Sequence, residues 1–331
     1  MEMSGQPPLL EVRDLRVSFG AGKDAADAIC GVDLTLNAGE VLGIVGESGS
    51  GKSVTMMALM QLLPSSSRTT GSVRFKGKEL IGMPARDMTR LRGSRIGMIF
   101  QDPLTAFNPV LTIGQQIVEA IRLHDRDLSK KAALNRAIEL LSEVSIAQPD
   151  RRVHQYPHEF SGGMRQRAMI AMAIANRPDL LIADEPTTAL DVTVQAQIMD
   201  LLHKLREDLN IGMVLITHDL GVVAGAADQI AVMYSGRIVE RGAVRDVFRH
   251  SRHPYTRGLL GSLPKLNGSG GPLVAIEGMP PSLRNRPPGC AFRPRCRFAA
   301  GICATEVPPL LPAGVVESAC HVSQSLAENA A

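Results

Sequence analysis

Residues 46–53 read Gly46-Glu47-Ser48-Gly49-Ser50-Gly51-Lys52-Ser53, and this stretch limits the possible folds more than any other. An apolar run, Val41 to Val45, precedes it, and a helix-like run, Val54 to Leu63, follows. Strand, glycine-rich loop and helix in that order, with the pattern G-x-x-x-x-G-K-S/T, form a phosphate-binding loop. Glycine tolerates positive φ and has no Cβ, so the backbone can wrap an anion closely. Successive N–H groups and the following helix N-terminus then face the phosphates. Lys52 adds a point charge for the outer phosphates, and Ser53 offers a hydroxyl to Mg²⁺. A Gly/Ser-rich linker would not sit between two strongly apolar elements. Gly46, Ser48, Gly49, Ser50, Gly51, Lys52 and Ser53 are therefore the nucleotide-binding candidates.

The 331 residues, 44% of them hydrophobic, suffice for one large or two moderate domains with a full core. A net charge of +3 is too small to argue for nucleic acid. With no Trp and 3% aromatics, the chain also has few platforms on which to stack bases. Met1 to Leu10 lacks the basic start and apolar core of a signal peptide. The longest apolar runs, such as Ala168 to Ala175, fall far short of a membrane span. The expectation is a soluble chain, or one peripheral to a membrane.

Alternation predicts a strand over Leu9 to Phe19, and a second strand over Ile29 to Leu36 after a polar turn, Gly20 to Ala28. Phe19 could pack under a sheet edge or stack on an adenine ring. A short strand is expected at Ser72 to Phe75, and another at Ile96 to Phe100, running into Gln101-Asp102-Pro103. Gln101 at that strand end could reach a nearby ion. Helical spacing follows over Thr112 to His124. Ser129 reads as an N-cap ahead of a stripe of Leu134, Ile138, Leu141 and Val144.

Phe160-Ser161-Gly162-Gly163-Met164-Arg165-Gln166-Arg167 opens a further helix. Leu180 to Ala183 reads as a buried parallel strand ending in Asp184-Glu185-Pro186, where ligands bind in an α/β sheet. Adjacent carboxylates on a strand point to opposite sides and can take different tasks. Asp184 suits the Mg²⁺ shell and Glu185 suits polarising a water that attacks the γ-phosphate. Met213 to Thr217 is another buried strand, ending in His218, and Ile230 to Glu240 a hairpin around Ser235-Gly236.

These motifs, in this order from residue 10 to about 250, resemble those of ABC-type ATPases. Ser161-Gly162-Gly163 matches the core of that family's L-S-G-G-Q signature, with Phe160 for Leu and Met164 for Gln. Ala189-Leu190-Asp191 resembles its D-loop, and His218 its switch histidine, which implies a hydrogen bond to the γ-phosphate. The resemblance implies an α/β fold: an ABC-type P-loop ATPase domain with a RecA-like core, an antiparallel β subdomain and an inserted helical subdomain. It implies ATP and Mg²⁺ as ligands, with Phe19, the phosphate loop, Ser161, Gly162, Gly163 and Asp191 on ATP. Ser53, Gln101 and Asp184 would hold Mg²⁺, and Glu185, His218, Lys52 and Gln101 would be catalytic. The nucleotide-binding domain would span 1–255, with its helical subdomain at about 105–177.

Beyond it, 256–331 reads as a small Cys/Pro-rich C-terminal extension entered through a Gly/Ser linker, Asn267 to Gly271. Pro-rich sequence forms no long helix or central strand, so its order needs an outside support. Cys290, Cys296, Cys303 and Cys320 could supply one around a metal. In a cytosolic chain such clustering favours metal or cluster ligation over disulfides. No pair has the C-x₂₋₄-C spacing of structural zinc. The tail resembles that of the oligopeptide/dipeptide branch of ABC importers, which implies a 4Fe–4S cluster, with zinc or free thiols as alternatives and His321 as a substitute ligand. The arginines at 284, 286, 293, 295 and 297 are expected on a solvated basic surface, or to neutralise a nearby anionic cluster or membrane surface.

The resemblance implies an ATPase subunit energising a peptide-type importer. It would pair with a second ABC ATPase, a copy or a related chain, dock on two membrane permeases at the cytoplasmic face, and serve an extracytoplasmic solute-binding protein. The competing class is a soluble ABC ATPase acting on nucleic acid or ribosomes. Such proteins usually carry two nucleotide domains, a coiled coil or a zinc insertion, none of which the sequence has. The cargo is not written in this chain.

Overall fold

The computed structural model describes residues 7–20, 22, 25–188, 190–263, 276–324 and 326. Ala189 of the expected D-loop, the linker Asn267 to Gly271 and most of Met1 to Leu10 lie outside the described residues.

Strand β1 (Leu10–Phe19) pairs antiparallel with β2 (Ala26–Leu36), Leu10 opposite Leu36 and Phe19 opposite Ala26. β3 (Val41–Val45) is buried along its whole length, as a non-alternating apolar run requires. Helix α1 (Lys52–Leu59) begins two residues before the apolar run. Gly51, left-handed at φ 108, is its N-cap, so Lys52 already lies in the first turn. β4 (Ser67–Phe75) is longer than Ser72 to Phe75, because its polar half pairs with β1 as far as Ser67 opposite Phe19. Cross-strand pairing overrides the weak pattern there. β5 (Lys78–Glu79) turns back antiparallel on β4.

After α2 (Ala85–Leu91), β6 (Ile96–Ile99) and the single turn α3 (Pro103–Ala106), helix α4 (Ile113–His124) starts at a capping box of Thr112 and Gln115. α5 (Lys130–Glu143) is capped by Ser129, as its sequence predicts. Its buried side is turned from the expected stripe, however. Ala133, Ala137, Leu140, Leu141 and Val144 are buried, while Leu134 and Ile138 are half-buried. The small alanines, counted as neutral in a stripe of large residues, are what allow close approach to α4. Next come α6 (Pro149–Arg152), α7 (Gly162–Ile174), β7 (Leu180–Asp184), α8 (Val192–Leu209) and β8 (Gly212–Thr217). α9 (Leu220–Ala226) leads to β9 (Gln229–Tyr234) and β10 (Arg237–Ala243). The hairpin turns on Ser235 and Gly236, both with positive φ, as a two-residue primed turn demands. α10 (Val244–His250), α11 (Pro254–Gly261), β11 (Leu311–Ala313) and β12 (Val316–Ser318) complete the regular elements.

The chain forms two compact units, one of residues 1–36, 40–82 and 216–331, the other of 37–39 and 83–215. In the first, β2-β1-β4-β5 is an antiparallel sheet, and a second layer runs β11-β12-β10-β9-β3. β3 and β9 are parallel, with Leu42 opposite Gln229. Asp228 locks that pair. Its carboxylate accepts the Val41 N–H at 2.8 Å, and its own N–H donates to the Val41 carbonyl at 2.9 Å. In the second unit β7 lies between β8 and β6, parallel to β6 with Ile96 opposite Leu180. Helices α3 to α7 follow β6 in the same unit.

The tail finds support in strand pairing and aromatic packing. β12 pairs antiparallel with β10, Glu240 opposite Ser318. Phe292 packs edge-on against Tyr234, with ring centroids 5.3 Å apart, and against Tyr255 at 5.4 Å.

Candidate active site

The first unit holds the phosphate loop between β3 and α1. Two of its glycines, Gly46 and Gly51, sit where a side chain would clash. A Cβ on Gly46 would lie 2.2 Å from the Met233 carbonyl oxygen, and one on Gly51 2.7 Å from Cδ1 of Ile29. The β9–β10 turn braces the loop from behind. Gly236 N–H donates to the Ser50 carbonyl at 2.8 Å, and Gly236 C=O accepts from Cys30 N–H at 2.8 Å. Lys52 is buried, with Nζ donating to the carbonyls of Gly46 at 2.8 Å and Glu47 at 3.1 Å. The ammonium is thus folded across the loop's own anion cradle. Ser50 Oγ is buried without a hydrogen-bond partner among the described residues. A backbone cradle with no room for a Cβ at Gly46 or Gly51, a buried ammonium and an unsatisfied hydroxyl fit a polyphosphate ligand. Ser48 and Gly49 are exposed at the loop tip. Phe19 ends β1 half-buried, which leaves both of its sequence readings standing. His218 follows β8 with an exposed side chain, next to Thr217, whose Oγ1 accepts the Asp219 N–H at 3.0 Å.

The second unit brings Gln101 and Glu185 together. Gln101 Nε2 donates to Glu185 Oε2 at 2.8 Å, and Thr188 Oγ1 donates to the same oxygen at 2.9 Å. Both bonds fall on one carboxylate oxygen. Glu185 has a left-handed backbone, φ 47, directly after the buried strand β7. A non-glycine residue held there costs about 1–3 kcal/mol and is typical of functional positions. Asp184, one residue earlier and 4% exposed, ends the strand itself. Gln101, Asp184 and Ser53 carry amide, carboxylate and hydroxyl oxygens, the hard donors that suit Mg²⁺. Ser161 caps α7, accepting the Met164 N–H at 3.3 Å, and Gly162 and Gly163 form the helix's first turn. A Cβ on Gly163 would meet Val194 Cγ1 at 2.9 Å. Asp191 caps α8 through the Val194 N–H at 3.0 Å.

The four-cysteine centre is not formed. Among the described residues, which include Cys290, Cys296, Cys303 and Cys320, no group of three or more potential ligands could hold a metal ion. Burial pushes the Cys290 and Cys296 thiols up and drives Cys320 to about 12. The 4Fe–4S expectation, with zinc as its alternative, finds no support in this geometry. His321 instead has Nε2 3.1 Å from the Glu306 carbonyl.

The basic surface expected for the tail is also corrected. Arg284 and Arg297 are exposed, but the Arg295 side chain is only 4% exposed and forms an ion pair with Glu47 of the phosphate loop. Tyr255, singled out by no motif, donates nothing to solvent; its hydroxyl accepts the Glu47 N–H at 2.8 Å. Neither partner was legible, since 248 residues separate Arg295 from Glu47. The one available signal was a glutamate inside an anion-binding loop, a charge that demands a counter-charge.

Residues 29–188 match the family model described as "ABC transporter", and residues 239–303 match "Oligopeptide/dipeptide transporter, C-terminal region". The oligopeptide transport ATP-binding protein OppD of Salmonella typhimurium is 52% identical over 302 residues, covering 91% of this chain and 90% of that protein. The Bacillus subtilis protein of the same name is 52% identical, covering 91% and 85%. The Mycobacterium tuberculosis OppD is 54% identical over 92% of this chain, which spans half the length of that relative. Among solved structures, the dimeric cassette MJ0796 in a post-hydrolysis state bound to ADP and Pi matches with a TM-score of 0.64 and 29% identity, covering 71% of this chain and 99% of that one. Among the described residues, no helix is long and apolar enough to cross a membrane.

Proposed function

This chain belongs to the ABC transporter family, in the branch marked by the oligopeptide/dipeptide C-terminal region, and from that footing we propose that it is the ATP-hydrolysing subunit of a peptide-type importer. The observation that carries the reading is the phosphate loop with Lys52 folded across it and Ser50 Oγ unsatisfied within it.

In this reading the loop N–H groups and Lys52 grip the β- and γ-phosphates, and Ser161, Gly162 and Gly163 contact the γ-phosphate of a nucleotide held by a second ATPase subunit. One phosphate loop and one signature per chain fit two subunits joined head to tail. Phe19 is available to the adenine, and Asp191 to the partner's half of the shared site. Ser53, Gln101 and Asp184 would hold Mg²⁺, which neutralises charge developing between the β- and γ-phosphates. Glu185 orients the attacking water with its carboxylate, one oxygen of which is fixed by Gln101 and Thr188. His218 donates a hydrogen bond to the γ-phosphate. Binding closes the dimer, hydrolysis reopens it, and two permeases at the cytoplasmic face of the membrane receive the motion. An extracytoplasmic binding protein would deliver the cargo.

The test is affinity purification of the chain from membranes in mild detergent, with mass spectrometry of what accompanies it. Two polytopic membrane proteins and a related ATPase are expected. Ribosomal or DNA-repair partners, with nothing in the membrane fraction, would overturn the reading.

A further inference from the structure

We propose that Arg295, in the C-terminal tail, is a positioning residue for the phosphate loop, acting through Glu47. The inference rests on reading that loop as a nucleotide site. Glu47 is held at all three of its polar parts. Its carboxylate meets the Arg295 fork, Nη1 to Oε2 at 2.7 Å and Nη2 to Oε1 at 2.9 Å. Its N–H donates to the Tyr255 hydroxyl at 2.8 Å. Its carbonyl accepts from Lys52 Nζ at 3.1 Å. A tail residue is therefore one side chain removed from the ammonium that would grip the phosphates.

Arg295 is itself fixed. Nε donates to the Glu277 carbonyl at 2.9 Å, Nη2 also approaches the Ile276 carbonyl at 3.3 Å, and Nη1 reaches the Tyr234 hydroxyl at 3.4 Å. The guanidinium carbon lies 5.9 Å from the ring centroids of both Tyr234 and Phe292. Those rings belong to the aromatic cluster that docks the tail on the β9–β10 hairpin, so the fork arrives only when the tail is in place. A bidentate pair whose arginine is buried and whose carboxylate is partly exposed is directional.

The chemistry gives the pair a task beyond holding the tail down. Glu47 places a negative charge inside a loop built to receive a polyphosphate. An uncompensated carboxylate there would repel the ligand at close range. Arg295 cancels the charge and turns the carboxylate toward the tail. The expected consequence is a nucleotide affinity that depends on a residue about 250 positions from the loop in sequence.

The experiment is a double-mutant cycle on the full chain, read by the binding of fluorescent methylanthraniloyl-ATP and -ADP. R295Q should weaken ATP binding about tenfold, an ordinary size for such coupling, and ADP binding by less, because ADP carries less charge. R295K should recover part of the loss. In an E47Q background, R295Q should have little further effect, since no carboxylate remains to compensate. In steady-state hydrolysis R295Q should raise KM with kcat within about twofold of wild type, the mark of lost ground-state binding. Unchanged affinity in R295Q would overturn the inference. So would an equal loss for ATP and ADP that persists in the E47Q background with a lowered unfolding midpoint, which is the signature of a mere structural staple. A wild-type chain that binds no nucleotide would overturn the reading of the loop as well.

Discussion

Gln101 Nε2 donates to Glu185 Oε2 across 2.8 Å, tying together the ends of two parallel strands, β6 and β7. The bond aims a carboxylate that sits on a left-handed backbone. E185Q keeps the shape and removes the charge. ATP hydrolysis should fall about a hundredfold or more, the range for loss of a positioned base, while ATP binding persists. Phosphate release and nucleotide binding measured side by side would check this, and hydrolysis at the wild-type rate would remove Glu185 from its assigned role.

Gly46 and Gly49 separate steric crowding from backbone strain. G46A drives a Cβ to 2.2 Å from the Met233 carbonyl, against backbone that cannot yield cheaply. G49A has nothing within 4 Å of the new atom and pays only for its φ of +77°, about 1–2 kcal/mol. G46A should therefore lower the unfolding midpoint more than G49A. Thermal melts of the two proteins in parallel give the order.

His253 makes stability depend on acid. It is 1% exposed, and its Nδ1 accepts the Tyr255 N–H at 3.1 Å at the start of α11. Burial lowers its pKa to about 3. The unfolded histidine, near 6.5, binds the proton more readily, so stability is full above about pH 6.5 and is lost as pH falls toward 3. At pH 5 the loss from this group is about 2 kcal/mol. Glu240 packs on the same turn, accepting from Ser251 Oγ and the His253 N–H, and burial raises its pKa, which works in the opposite sense. Urea denaturation of wild type and H253N at pH 7, 6 and 5 isolates the histidine. Asn can still cap the helix, and the H253N curve should be flatter.

Arg286 covers Cys30. Its Nη1 lies 2.7 Å from the Cys30 sulfur, Nη2 donates to the Asp27 carbonyl at 2.9 Å, and Nε donates to Ser235 Oγ at 3.0 Å. R286A should cost about 1–3 kcal/mol and expose a thiol that is 3% accessible. Alkylation of Cys30, followed by mass spectrometry, should become several times faster than in the wild type, against Cys303 as internal reference.

Most of the fold was legible because its elements are locally consistent. The phosphate loop, the buried run of β7 and the Ser129 and Ser161 caps each carry their signal within a few residues. Gln101 and the Asp184-Glu185 step were each visible at a strand end, but the hydrogen bond between Gln101 and Glu185 was not. What sequence missed was non-local. The polar half of β4 is a strand only because β1 lies beside it. The buried face of α5 follows its alanines. Arg295 and Arg286 look like surface charges until folding brings Glu47 and Cys30 to them. The four cysteines erred in the other direction: they lie near one another in the tail, yet among the described residues no three of them take up an arrangement that could hold a metal ion.

The pairing of β12 with β10 has a consequence for how the chain behaves among its copies. A terminal strand with open N–H and C=O groups recruits any other strand it meets. Here three short residues from the tail, backed by β11, occupy that side of β10. A chain shortened to residue 255 would leave the rail uncovered and should aggregate edge to edge as it is made. The extension thus acts as a bumper on the sheet, closing that side of β10 to strand addition.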